Sequence, residues 1–132
     1  MINWILAVLA LFVVQTLLPN VARAASRDAA QMAFIRGNRD AVPPPTVMSS
    51  RMDRALTNMF EALVVFLPLG VLTVATGTDS GWAMTGAAVF FFARLAYIAA
   101  YASGWAPVRS LVWAIGHAGL AMMVAGLLAA PG

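Results

Sequence analysis

The stretch RMDRALTNMFEALVVFLPLGVLTVAT, residues 51–76, decides the architecture. Its first three turns carry Arg51, Asp53, Arg54, Asn58 and Glu61, and from residue 62 to 75 it is apolar. About 20 apolar residues suffice to cross a bilayer as a helix. The segment is therefore read as a span with a polar, basic start. Ser49 or Ser50 is the expected N-cap, with the helix starting near Arg51. Pro68 is expected to kink it.

The rest of the chain agrees. Over 132 residues, 62% are hydrophobic and 10% charged, against about 45–50% and about 25% in soluble domains. A soluble domain and a disordered chain are excluded. A nucleic-acid-binding module is excluded as well, since the net charge is only +3 and the arginines do not interleave with exposed aromatics. With no cysteine there is no disulfide framework, thiolate metal site or cysteine nucleophile.

Three more spans follow from hydropathy. The first apolar run, residues 2–18, is broken only by Asn3 and Gln15 and ends at Pro19-Asn20, so the span is set at 2–22. Ala22-Arg23-Ala24 has the form of a signal-peptide cleavage site. No Lys or Arg precedes the apolar run, however, so a retained helix is expected. Residues 23–50 hold Arg23, Arg27, Arg36, Arg39, two aspartates and Pro43-Pro44-Pro45. They are read as an extended connection with a short amphipathic piece around residues 28–35. A tight turn covers residues 76–81. The third and fourth spans are set at 82–102 and 107–130, with Pro107 placed as an early helix residue. The expected fold is an all-α membrane protein, one four-helix domain over residues 1–132.

Orientation comes from the arginines. Six lie in the first loop and its flanks, Arg109 lies at the third loop, and the second loop has none. The positive-inside rule puts loops one and three in the cytoplasm and both termini on the non-cytoplasmic side. Four spans place both basic loops on one side, as the charges require.

Ionisable residues inside spans mark functional sites by default. At about 100° per residue, Arg51, Arg54, Asn58 and Glu61 fall within an arc of about 80° on the second long helix. Asp53 lies off that stripe and reads as a solvated charge at the helix start. On the next helix Arg94, Tyr97 and Tyr101 share a face at i, i+3 and i+7. Arg94 sits deep in the apolar run 87–100 and needs a carboxylate; Glu61 is the expected partner, in a pair that is architectural or part of a site. Arg109-Ser110 opens the last helix, where backbone N–H groups, a guanidinium and a hydroxyl suit an anion or a thiolate. The plainer reading of Arg109 is a positive-inside anchor.

The remaining polar and aromatic residues read more simply. His117 has no second His or Cys nearby and reads as a packing histidine. Trp4, Trp82, Trp105 and Trp113 read as interfacial anchors, and the methionines as apolar filler. Ala114, Ala118, Ala121 and Ala125 form a small-residue stripe suited to close helix contact. No hydrolase motif is present, and four spans without duplicated halves do not suit a transporter.

The strings Arg51-x-x-Arg54-x-x-x-Asn58-x-x-Glu61, Ala93-Arg94-x-x-Tyr97-x-x-x-Tyr101 and Pro107-x-Arg109-Ser110, on successive helices, resemble the MAPEG family. These are membrane-associated proteins of eicosanoid and glutathione metabolism, such as microsomal glutathione transferases and microsomal prostaglandin E synthase. The resemblance covers roughly residues 48–120. It implies a homotrimer with glutathione between neighbouring protomers, near the cytoplasmic side. Arg51, Arg54, Asn58 and Glu61 would hold the ligand, Arg94, Tyr97 and Tyr101 would line the cleft, and Arg109 with Ser110 would stabilise the thiolate. The activity implied is a glutathione-dependent transferase or peroxidase acting on lipophilic substrates delivered by membrane lipid. The alternative is a non-catalytic structural or accessory subunit of a larger membrane complex. Thr57 stands where the prostaglandin branch often has a basic residue, Val65 where many members have proline, and Tyr97 where that branch has histidine. The all-arginine, alanine-rich composition suits a bacterial inner membrane.

Overall fold

The computed structural model describes residues 1–78 and 81–129, and these form four long helices and one short one. They are α1 (Ile2–Ala25), α2 (Ala29–Arg36), α3 (Val47–Ala75), α4 (Gly81–Ser103) and α5 (Ala106–Leu128). All but α2 are long and apolar enough to cross a membrane. Asp79 and Ser80 of the expected 76–81 turn lie outside the described residues, as does residue 130, the expected end of the last span.

Two helix starts and ends differ from the expectation. The N-cap of α3 is Thr46, whose hydroxyl accepts from the Ser49 backbone N–H at 3.0 Å. Thr46 is the first residue clear of the proline run, so capping occurs there and the helix begins one turn before Arg51. Ser49 is buried and its hydroxyl donates to the Thr46 carbonyl, while Ser50 accepts from Arg54 at 2.8 Å. Pro19 does not stop α1 but is buried within it. A proline forfeits only the bond to the carbonyl four residues back, which a packed membrane helix tolerates. Pro68 likewise lies inside α3.

The 23–46 connection is more ordered than an extended linker. Asp28 caps α2, accepting from Ala30 N–H at 2.7 Å and Gln31 N–H at 3.1 Å. Buried Gln31 then ties three segments: its carbonyl oxygen accepts from Arg23 at 2.6 Å, and its amide donates to the Pro44 carbonyl at 2.6 Å. Phe34 lies between the guanidinium groups of Arg23 and Arg39, at 5.0 and 5.8 Å.

Packing pairs α1 with α3, α3 with α4, and α4 with α5. Membrane helices associate through van der Waals contact rather than expulsion of water, so close approach matters. A larger apolar cluster includes Val8, Leu11, Met59, Phe66, Phe90 and Met123, with Phe66 and Phe90 stacked at 4.6 Å. A smaller cluster toward the basic ends includes Ala22, Met52, Ala55, Tyr97 and Tyr101. Within the chain, glycines rather than alanines make the α5 contact. Gly116, Gly119 and Gly126 are buried, whereas Ala114, Ala118, Ala121 and Ala125 are all exposed. The alanine stripe faces away because the bundle closes on the opposite side of α5.

Candidate functional site

Arg94, Tyr97, Tyr101 and Arg109 form one continuous column along α4 and the start of α5. The Arg94 guanidinium lies 5.2 Å from the Phe90 ring centre and 5.4 Å from that of Tyr97. The Tyr97 and Tyr101 rings meet edge to face at 5.0 Å and 81°. Arg109 stands over Tyr101 at 5.2 Å. The i, i+3, i+7 spacing aligns the α4 residues, and the antiparallel return of α5 brings Arg109 back onto the last ring. Cation–ring contacts of this kind contribute about 0.5–2 kcal/mol each, depending on desolvation.

Arg94 is 1% exposed, and none of its three guanidinium nitrogens has a hydrogen-bond partner among the described residues. The expected Arg94–Glu61 pair is not formed. The buried stripe of α3 runs through Met52, Ala55, Met59, Ala62, Leu63 and Phe66, and Glu61 lies off it. Glu61 is exposed instead, lining an outer groove of about 460 Å³ with Phe12, Thr16, Leu56, Thr57 and Phe60. Arg94 turns the other way, toward α5, where its Nη2 would lie 3.4 Å from a Cβ placed on Gly116.

The polar face expected on the second long helix is divided. Arg51 turns toward α4 and donates to the Ala102 carbonyl at 2.9 Å. Arg54 and Glu61 are exposed, and Asn58 is half-buried. Ser110 is exposed and donates to the Ala106 carbonyl within its own helix, at 3.2 Å. Because Arg51 reaches the last turn of α4, the two basic loops share one end of the bundle. His117 packs on Trp113 at 3.8 Å between rings, with its Nδ1 donating to the Trp113 carbonyl at 2.9 Å. Among the described residues no group of three or more His, Cys, Asp or Glu gathers as a metal site would require.

Two residues passed over in the sequence matter here. Gln15 is 1% exposed, and both its amide atoms lack a partner among the described residues. It lies on α1 between Leu11 and Ala22, and so between the two apolar clusters. Its signal was its place as a polar residue inside the apolar run of residues 2–18. Gly104, the hinge between α4 and α5, holds a φ of +74° and packs against the Arg51 guanidinium. A Ser-Gly before a tryptophan gave no hint of that contact.

The column thus presents cations and phenols without a carboxylate from the described residues, an arrangement that favours a bound anion. A model of the MAPEG family matches residues 3–129. No curated protein and no solved structure matches the chain. Helical architecture, four apolar spans and a family match over nearly the whole length agree, and this integral membrane chain belongs to the MAPEG family.

Proposed function

We propose that the chain is a glutathione-dependent transferase or peroxidase of the membrane, acting on lipophilic substrates. The observation that carries this reading is Arg94: a guanidinium buried among α4 and α5 with every nitrogen unpartnered, leading through Tyr97 and Tyr101 to Arg109. A buried unpaired cation is costly, and a ligand bringing carboxylates would offset that cost. Family members generally use glutathione. Its two carboxylates, amine and thiol match Arg54, Arg94 and Arg109, the Asn58 amide, the Glu61 carboxylate and two phenols, while the Arg51 guanidinium donates to the Ala102 carbonyl.

Bound glutathione would supply the sulfur nucleophile. Arg109, in the first turns of α5, adds its charge to the positive end of the helix dipole and favours the thiolate over the thiol. Ser110 would donate a hydrogen bond to the same sulfur. Arg94, Tyr97 and Tyr101 line the approach. Exposed Arg54 and Glu61 would be masked from lipid by a neighbouring copy, in a homotrimer that forms its sites between protomers and takes the apolar substrate from the bilayer. By charge the basic end lies in the cytoplasm, both termini lie outside, and a bacterial inner membrane is the location that the composition suits.

One observation favours a second reading, a non-catalytic structural or accessory subunit. The polar groups of Arg51 and Ser110 are engaged by the chain's own backbone. A glutathione titration of the detergent-purified protein separates the two. The enzyme reading expects saturable binding and a thiolate absorbance that Arg109→Lys abolishes, since lysine keeps the charge but loses the planar fork. Wild-type protein showing neither binding nor thiolate would leave the accessory-subunit reading standing.

A further inference from the structure

We propose that Arg51 is a positioning residue that struts the α4–α5 elbow and so sets Arg109 against Tyr101. The last carbonyls of a helix have no partner within it and must find one elsewhere. At the end of α4 three successive carbonyls are satisfied. Ala100 accepts from the Ser103 hydroxyl at 2.8 Å, and Tyr101 from the Gly104 N–H at 3.1 Å. Ala102 accepts from Arg51 at 2.9 Å. The first two bonds are local. The third comes from another helix, 51 residues away in sequence, and brings a positive charge to the negative end of the α4 dipole.

Gly104 makes the seat for that guanidinium. A Cβ on Gly104 would overlap Nη2 and lie 2.7 Å from Cζ of Arg51. The residue is glycine for its space as well as for its φ of +74°. Only Gly104 and Trp105 separate α4 from α5, and the Trp105 carbonyl accepts the Arg109 N–H at 3.2 Å. Arg109 therefore follows the elbow as a rigid body within the first turn of α5. Rotation at Gly104 would slide its guanidinium off the Tyr101 ring, which it now overlies at 5.2 Å. Holding that rotation is a task distinct from contacting a ligand, and Nη1 of Arg51 is already bonded for it.

The test compares wild type, Arg51→Met and Arg51→Lys in lipid nanodiscs. Hydrogen exchange of the amides of residues 102–106, 108 and 109 is read first and requires no ligand. The strut predicts exchange about tenfold faster in Arg51→Met, with residues 113–128 unchanged, corresponding to about 1.4 kcal/mol of lost local stability. Arg51→Lys should fall between the two, because an ammonium can donate to Ala102 but cannot fill the space beneath Gly104. It carries the same test should Arg51→Met not fold. Unchanged exchange in the variants overturns the proposal.

A second measurement rests on the glutathione reading. A displaced Arg109 should lower the thiolate fraction of bound glutathione while its affinity stays within about threefold. Affinity falling by tenfold or more with the thiolate fraction intact would make Arg51 a ligand contact and overturn the positioning role. If wild type binds no glutathione, the proposed function fails, and the exchange measurement alone decides the strut.

Discussion

Gly86 of α4 and Gly119 of α5 meet backbone to backbone. A Cβ on Gly86 would come 2.5 Å from the Gly119 carbonyl oxygen, and one on Gly119 would come 2.7 Å from that of Gly86. Neither obstruction is a side chain that could rotate away. Gly116, one turn earlier on α5, differs: its Cβ would find Arg94 and Ala93 at 3.4–3.5 Å, ordinary contact. Gly119→Ala should therefore destabilise the bundle by about 1–3 kcal/mol through overpacking. Gly116→Ala should be neutral or gain up to about 1 kcal/mol of helix propensity. Thermal unfolding in detergent compares them, and equal effects would contradict the close crossing.

Arg94 and Glu61, unpaired with each other, should behave independently in the ligand-free protein. Arg94→Met removes a buried charge without a partner and replaces it with an apolar chain of similar length. Such exchanges are neutral or stabilising by about 1–4 kcal/mol. Glu61→Ala should add to it within about 0.5 kcal/mol. A double-mutant cycle with coupling well above that value would restore a Glu61–Arg94 pair.

The Tyr101 ring, rather than its hydroxyl, supports Arg109. Tyr101→Phe keeps the ring under Arg109 and should cost less than Tyr101→Leu. Tyr101→Leu should lose about 0.5–2 kcal/mol, the range for a cation over a ring face. Unfolding midpoints of the two variants give the answer. Equal losses would assign the support to the phenol oxygen.

Gln31 holds the basic loop to the bundle. Gln31→Leu leaves the buried Arg23 guanidinium and the Pro44 carbonyl without their partner, at a cost of about 1–3 kcal/mol. The loop should open more often, and trypsin should cut after Arg36 or Arg39 about tenfold faster than in wild type. Unaltered cleavage would mean that the loop is held by its cation–ring contacts alone.

Much of the fold was legible because hydrophobic burial is a property of composition along the chain. Four apolar runs, their separation by turns and the clustering of arginines at two loops set the number of spans. The i, i+3, i+7 spacing was enough to align Arg94, Tyr97 and Tyr101, because helix periodicity depends only on backbone geometry. Capping was less legible. Three hydroxyl residues, Thr46, Ser49 and Ser50, compete near the start of α3, and the proline run before Thr46 decided among them.

Periodicity places residues on one face of a helix without saying what that face meets. Arg51 and Glu61 lie within one arc of α3, yet Arg51 turns to the end of α4 while Glu61 faces outward. Arg94 needed a partner by composition, and only packing showed that Glu61 was on the wrong side of α3 to provide it. Likewise, the alanine stripe of α5 was the contact face expected from sequence, whereas the glycines on the other side of the helix make the contact. The choice fell to Gly86, which lacks a Cβ at the crossing point and so lets the Gly119 backbone come into contact. Sequence by itself determined the spans and the helical faces, since both follow from local chemistry. Which faces meet depends on interactions between residues far apart in the chain, and only the tertiary structure decided that.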